Sequence, residues 1–339
     1  MKVDEELLSD TFYCHTIQLD QNRSRLRYLV KIAAAIYHLA IHPSWRKIAI
    51  WFADYHAAPL VLAAKLLKKK SYVFIGGYDA VQYPELGMGV YCSFWRGLCA
   101  IIALRGCTAV IANHPALLSS LNTYYCQERH PDGIYKLLPG LNTPSYVIHN
   151  AIAAEAPTRF APDREKQILT VGTTPRLQDF YNKGYDLLVE VAKRRPELRF
   201  IFVGIKKQWL PELDARHELL SLPNLIMHEG LPHPELLRMM EQSSVYAQPS
   251  ISEGMPNALM EAMLMGCVPV GSNVAGIPTV IGKQGFVFDK RSSIDLESAL
   301  DNALNSHFEP ASISASVAER FSRDRRLRAI KDVLQPVIG

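Results

Sequence analysis

PSISEGMPNALMEAMLMGCVPVGS, residues 249–272, holds a polar turn, a short apolar helical pattern and a β-rich run in immediate succession. Pro256 suits a first helical turn, because the N–H it lacks would have no partner there anyway. Gly266 closes the pattern and VPVGS (268–272) follows as a strand. A loop, a helix and a strand in that order form the crossover unit of a parallel sheet. Glu253 falls on the loop, and Glu261, eight residues on, about a turn and a half into the helix. The helix start offers free backbone N–H groups and the positive end of a dipole, which suit a diphosphate. Glu253 and Glu261 beside it suit hydroxyl groups; as plain surface charges flanking a turn they would do nothing.

Outward from this segment the same alternation repeats. QILTVGT (167–173), RFIFVG (199–204), NLIMHEG (224–230), VYAQPS (245–250) and GFVFD (285–289) read as strands, with helices over 184–195, 234–242 and 256–265. The first half gives KIAIWFA (47–53), SYVFIGG (71–77) and TAVIAN (108–113) as strands, with helices over 57–70 and 115–126. Right-handed crossovers then build one open sheet per half. The expected class is α/β, two doubly wound Rossmann-like domains facing across a cleft at the carboxyl ends of their strands. The domains are 1–150 and 166–310, joined by an Ala/Pro-rich linker over 151–165. Residues 311–339 follow as a C-terminal helix, read as solvated.

The 339 residues and 38.0 kDa allow two packed cores. Hydrophobic residues at 48% and charged residues at 21% exclude bulk disorder. Net charge is +4, too mild to argue for nucleic acid. Residues 1–150 carry 15 Lys/Arg against 10 Asp/Glu, and the remainder 22 against 23, so an anionic partner is expected on the first half. Six cysteines without a C-x-x-C pair, and an acidic MKVDEELL start, point to a reducing cytoplasm with no export leader. The apolar windows 29–41 and 97–112 are broken by Lys31 and Arg105, so the chain is expected not to span a membrane.

VGTTPRLQDFYNKG (171–184) places Arg176 and Lys183 after the first strand of the second half. Two fixed cations there stabilise the charge that develops on a leaving diphosphate without a metal. No Asp-x-Asp triplet and no metal-ligand spacing of His or Cys occurs. Gly87-x-Gly89 lacks the third glycine of a dinucleotide fingerprint, and there is no Walker lysine.

VGTTPRLQDFYNKGYDLL, RFIFVG, the 249–272 run, AGIP and GFVFD together resemble the retaining glycosyltransferases of family 4, with the GT-B fold. The resemblance implies that Arg176 and Lys183 bind the donor diphosphate, Glu253 the donor sugar and Glu261 the ribose. Gly172 and the backbone of Gly254, Met255, Pro256 and Asn257 complete the donor site. It further implies a metal-free, cofactor-free reaction that retains anomeric configuration. The partners expected are a nucleotide-sugar donor and a glycan or lipid-linked acceptor of surface polysaccharide assembly. Departures are Thr279 where Glu is frequent, Ala151 where Gly is usual, and a polar helical start where a strand and Gly-rich loop are expected. That last departure admits a nucleotide-sugar-binding partner subunit without activity; an epimerase on the same fold is the third reading.

In the first half, GGYD places Gly77, Tyr78 and Asp79 at a strand end, with Gly76 and Gly77 allowing close backbone approach to a ligand. His56 with Asp54 is a further candidate for the cleft, His114 a weaker one, and His228 and His233 receive no role. Arg23, Arg25, Arg27, Lys31, Lys65 and Lys68 to Lys70 form a basic set, either solvated or, with Phe94 and Trp95, attracting anionic lipid headgroups at the inner face of the cell membrane.

Overall fold

A computed structural model describes residues 2–19, 24–126, 128–161 and 164–335. The chain divides into two units: one of residues 1–120, 131–151 and 323–339, the other of 121–130 and 152–322.

The first unit opens with α1 (Lys2–Ser9) and α2 (Arg25–Ile41), the latter capped by the Ser24 side chain, which accepts from Arg27 N at 3.4 Å. β1 (Lys47–Trp51), α3 (Ala57–Leu66), β2 (Lys70–Ile75), α4 (Phe94–Gly106) and β3 (Ala109–Ala112) follow. A two-stranded pair of β4 (Ser120–Asn122) and β5 (His130–Asp132) follows, with residues 121–130 counted in the second unit, and then α5 (Ile134–Leu137) and β6 (Ser145–Val147) complete this stretch. The sheet is parallel throughout, in the order β1-β2-β3-β6. β2 and β3 are almost wholly buried because helices cover both faces, which is why they read as continuous apolar runs. Ile50, Val73, Ile75, Val110 and Ala112 meet α3 and α4 on one face. Tyr72, Phe74, Ala109 and Ile111 meet Leu8 of α1, and Ile330 and Leu334, on the other.

The second unit contains β7 (Glu165–Val171), α6 (Gln178–Asn182), α7 (Tyr185–Arg194), β8 (Arg199–Val203), α8 (Leu210–His217), β9 (Leu225–His228) and α9 (His233–Gln242). β10 (Ser243–Gln248), α10 (Asn257–Leu264), β11 (Val268–Ser272), α11 (Gly276–Ile281), β12 (Phe286–Phe288), α12 (Ser293–Leu304) and α13 (Pro310–Arg320) follow. Its sheet is parallel in the order β12-β11-β10-β7-β8-β9. The chain builds outward from β7 through β8 to β9, then returns to lay β10 on the other side of β7. The strand order therefore reverses between β7 and β10, and ligands of open α/β sheets bind beyond the carboxyl ends of the strands at that reversal.

Three sequence expectations change. The stretch 115–126 forms a three-residue 3₁₀ turn at Pro115–Leu117 and then β4, not a helix. Asn122 Nδ2 and Tyr124 OH instead donate to the carbonyls of Ile251 (2.8 Å) and Pro249 (3.2 Å), tertiary bonds that a continuous helix would not make. The final segment is not one solvated helix. It breaks at Phe321–Ser322 into α13 and α14 (Arg323–Leu334), and α14 packs into the first unit's core through Ile330 and Leu334. Pro256 lies one residue before α10, in extended conformation, not within its first turn.

Candidate functional site

At the β7–β10 reversal, β7 ends in Val171 and the backbone turns at Gly172. A Cβ on Gly172 would lie 3.0 Å from Lys183 Cγ, so the glycine leaves room for the lysine stem to cross the strand end. Lys183 itself sits in the break between α6 and α7. Gly184 makes that break with φ +72°, and a Cβ there would lie 2.2 Å from Pro249 O. Thus positioned, Lys183 Nζ reaches Glu253 Oε1 at 2.5 Å, the two side chains being 23% and 15% exposed. Glu253 Oε1 also accepts from Gln248 Nε2 and Ser250 Oγ, each at 3.2 Å. Tyr246 OH donates to Gln248 Oε1 at 3.1 Å, tying this network to the buried face of β10.

The second cation is held differently. Arg176 forms a fork on Asp179, with Nη2–Oδ1 at 2.5 Å and Nε–Oδ2 at 3.2 Å, while its own amide donates to Oδ2 at 2.9 Å. Lys183 and Glu253 are brought together; Arg176 is parked on a carboxylate that sequence reasoning passed over. The signal was present, since a polar residue three positions on in a loop is within capping reach.

The 253–257 turn is built from behind by the AGIP segment. Gly276 N donates to Gly254 O at 3.0 Å, and a Cβ at Gly276 would lie 2.3 Å from that oxygen. Met255 is buried, so it can serve a ligand only through its backbone; Pro256 is also buried and Asn257 is exposed at the start of α10. Glu261, on α10, accepts from His233 Nε2 at 3.0 Å. His233, assigned nothing from sequence, begins α9 and reaches Glu261 because α9 packs against α10. Among the described residues, no three His, Cys, Asp or Glu side chains come together to hold a metal ion.

The first unit's candidates fare less well as ligand contacts. Asp79 is 1% exposed. Its carboxylate accepts from Ala53 N (3.0 Å), Gly76 N (2.9 Å) and Gly77 N (3.1 Å), so it fastens the loops after β1 and β2. Burial pushes its pKa up against the downward pull of those amides. Asp79→Ala strands three N–H donors in and beside the core, and unfolding free energy falls by about 1–3 kcal/mol. A urea titration reads this as an earlier midpoint; an unchanged midpoint would remove Asp79's structural role. His56 is also turned inward. Nε2 donates to Trp51 O (3.0 Å), leaving Nδ1 to accept from Tyr28 OH (3.1 Å), and desolvation lowers its pKa, so the ring is neutral. His114, likewise buried, accepts from Ala116 N, and its pKa is pushed down to about 4 by desolvation and by His149. The space expected for a ligand at Gly76 is filled by Phe52, whose ring would lie 2.6 Å from a Cβ there. Tyr78 does stay at the surface, with the Arg96 guanidinium 5.0 Å over its ring and held by Asp54 at 3.0 and 2.5 Å.

The basic set is divided between two neighbouring helices and the chain just after the second. Arg25, Arg27 and Lys31 lie on α2 and Lys65 on α3, while Lys69 Nζ is spent on the Leu39 and His42 carbonyls at 2.5 and 2.6 Å. Arg23 lies outside the described residues. Phe94 and Trp95 are exposed at the start of α4.

Residues 155–320 match the family described as Glycosyl transferases group 1. Over 170 residues the chain is 28% identical to the phosphatidylinositol N-acetylglucosaminyltransferase gpi3 subunit of Schizosaccharomyces pombe, covering 48% of this chain and 36% of that protein. It is 30% identical over 166 residues to a subunit of the human phosphatidylinositol N-acetylglucosaminyltransferase, covering 47% and 33%. With the D-inositol 3-phosphate glycosyltransferase of Corynebacterium aurimucosum it shares 28% over 202 residues, covering 56% and 46%. The matched stretch thus spans less than half the length of each of these relatives. Among solved structures, Anabaena HepE in complex with UDP and glucose superposes with a TM-score of 0.70 at 15% identity, covering 98% of this chain and 89% of that one. Staphylococcus aureus TarM, crystallised with fondaparinux, α-GlcNAc-glycerol and UDP, gives 0.67 at 15% identity, covering 90% and 59%. The fold is GT-B, and Lys183, Glu253 and Glu261 all lie within the stretch that matches the group 1 glycosyltransferase family.

Proposed function

We propose that this chain is a retaining, metal-independent glycosyltransferase that moves a sugar from a nucleoside diphosphate sugar to a lipid-linked or glycan acceptor. The observation that carries the reading is the Lys183–Glu253 pair, laid across Gly172 at the strand reversal of the second unit. A cation and a carboxylate held together this way each have a use when donor arrives. Lys183 turns its ammonium from Glu253 to the diphosphate, and Glu253, still held by Gln248 and Ser250, accepts a hydrogen bond from a sugar hydroxyl. Arg176 changes partner from Asp179 to phosphate, a bidentate-to-bidentate exchange that guanidinium geometry permits. As the bond from the anomeric carbon to the β-phosphate oxygen breaks, these cations meet the charge that develops on that oxygen. The acceptor oxygen bonds to the same face of the sugar, and its proton passes to the leaving phosphate.

Glu261, oriented by His233, is the ribose acceptor in this reading. UDP is the favoured nucleotide, since both solved relatives named above were crystallised with it. An inositol-containing lipid acceptor is favoured over a polysaccharide one, since the curated relatives are named for phosphatidylinositol and inositol phosphate. Two of those relatives are named as subunits, which favours as second reading a donor-binding partner subunit.

Thermal unfolding in the presence of UDP, GDP, ADP and CMP sugars tests the donor site. One nucleotide class raises the Tm in a concentration-dependent way, because a ligand that binds only the folded state stabilises it by mass action. Absence of any shift up to millimolar donor removes the reading. A shift without sugar transfer to phosphatidylinositol or to glycan favours the partner subunit.

A further inference from the structure

The outward face of α2 is apolar, the reverse of what a solvated helix presents. Tyr28, Ile32 and Leu39 point into the first unit and are buried. At about 100° per residue, Leu26, Leu29, Val30, Ala33, Tyr37 and Ile41 share an arc of about 120° on the other side. All six are exposed, the five larger ones between 46% and 72%. Arg25 borders this arc on one side and Arg27 on the other, with Lys31 next to Arg27, and α2 contains no Asp or Glu.

The neighbouring helix extends the surface. Tyr28 OH bonds His56 at the start of α3, and Lys69, just after α3, bonds the carbonyls of Leu39 and His42, so the two helices run side by side in the same direction. On α3, Leu62 and Leu66 are exposed one turn apart, Leu66 at 84%, with Lys65 exposed between them.

We infer that α2, supported by α3, is a membrane-docking surface that lies in the plane of a bilayer rich in anionic lipid. A helix of this kind sinks its apolar side chains about 5–10 Å into the headgroup and acyl boundary while flanking basic side chains meet lipid phosphates. Among the described residues no helix is long and apolar enough to cross a membrane, so α2 rests on the bilayer. Charge complementarity selects this occupant. A second copy of the chain, pairing α2 with α2 about a two-fold axis, would set Arg25, Arg27 and Lys31 against themselves with no carboxylate on either helix. The inference stands apart from the donor and acceptor readings, because lipid binding is measured without turnover.

Co-sedimentation of the full chain with vesicles tests it. One set is phosphatidylcholine alone and the other contains about 30% phosphatidylglycerol. The chain pellets with the anionic vesicles at least about tenfold better than with the neutral ones, and high salt weakens the binding. Leu29→Asp with Tyr37→Asp lowers pelleting about tenfold or more, since two charges then enter the apolar arc. Arg25→Glu with Arg27→Glu brings anionic vesicles down to the neutral level. All four positions are exposed, so the unfolding midpoint of each variant stays within about 3 °C of the parent, which separates lost docking from lost folding. The inference is overturned by a parent chain that stays in the supernatant with both vesicles, by equal pelleting with both, or by Asp variants that pellet like the parent. It is equally overturned by a lipid-free dimer that Leu29→Asp dissociates, since the face is then covered by a second copy.

Discussion

Lys183→Ala lowers sugar-transfer turnover by roughly two to three orders of magnitude, the scale for removing one preorganised charge from a developing oxyanion. Two effects add in this variant. The leaving diphosphate loses a cation, and Glu253, at 15% exposure, loses the partner that holds Oε1 at 2.5 Å. Gln248 and Ser250 keep their bonds to the same oxygen, so the loop stays in place and the damage falls on the rate. Lys183→Arg is a poor rescue, because a planar guanidinium fork does not reproduce the compact ammonium that meets Glu253 Oε1. Single-turnover kinetics with saturating donor measure the chemical step directly. A rate within about threefold of the parent sinks the proposed role, because even a modest electrostatic contribution exceeds that.

The second large effect is on stability. Arg326→Ala is expected to cost about 3–5 kcal/mol, the usual consequence of leaving a buried charge without its partner. Arg326 is 6% and Asp4 4% exposed. The guanidinium forms a fork on Asp4, with Nη2–Oδ2 at 2.8 Å and a shorter bond from Nε to Oδ1, and it also donates to the carbonyls of Ile148 and His149. Trp51 Nε1 donates to Asp4 at 3.0 Å from β1. Burial by itself would raise the Asp4 carboxyl, but hydrogen bonding and charge from Arg326, with Trp51, hold it below its ordinary 3.8. The sign of the pH dependence follows. With its folded pKa depressed, the group's stabilisation is fully present above the unfolded value near 3.8 and is lost as pH falls through the folded one. Urea midpoints from pH 6 down to pH 2 should show this loss in the parent and much less of it in Arg326→Ala. Identical pH profiles in the two would detach Asp4 from the effect.

Why some of this was legible in the sequence is a matter of range. The sheet strands read correctly because β2, β3, β8 and β10 are buried on both faces, and continuous apolar runs of that length have few alternatives. The grouping of Lys183 with Glu253 was within reach of the sequence because both sit on short local devices, a helix break and a turn into a helix. What failed were features decided by distant chain. The stretch 115–126 has a helical pattern but is drawn into tertiary bonds with Pro249 and Ile251. Asp79 and His56 carry reactive groups next to strand ends, as catalytic residues do, and only their partners reveal them as fasteners. α14 has the charge pattern of a solvated helix, and the burial of Ile330 and Leu334 together with Arg326, paired with a residue more than 300 positions away, reverses that reading.

That separation bears on how the chain acquires its structure. The second unit is almost continuous, from 152 to 322, whereas the first needs α1 at one extreme of the described chain and α14 at the other. During synthesis the second unit can close as soon as α13 leaves the ribosome. The first unit waits, its sheet face at Tyr72, Phe74 and Ile111 uncovered until α14 follows, while closing its longest loop costs the most chain entropy. The second unit is therefore complete before the unit that carries α2, and a nascent chain exposes that apolar sheet face until synthesis of α14 is over.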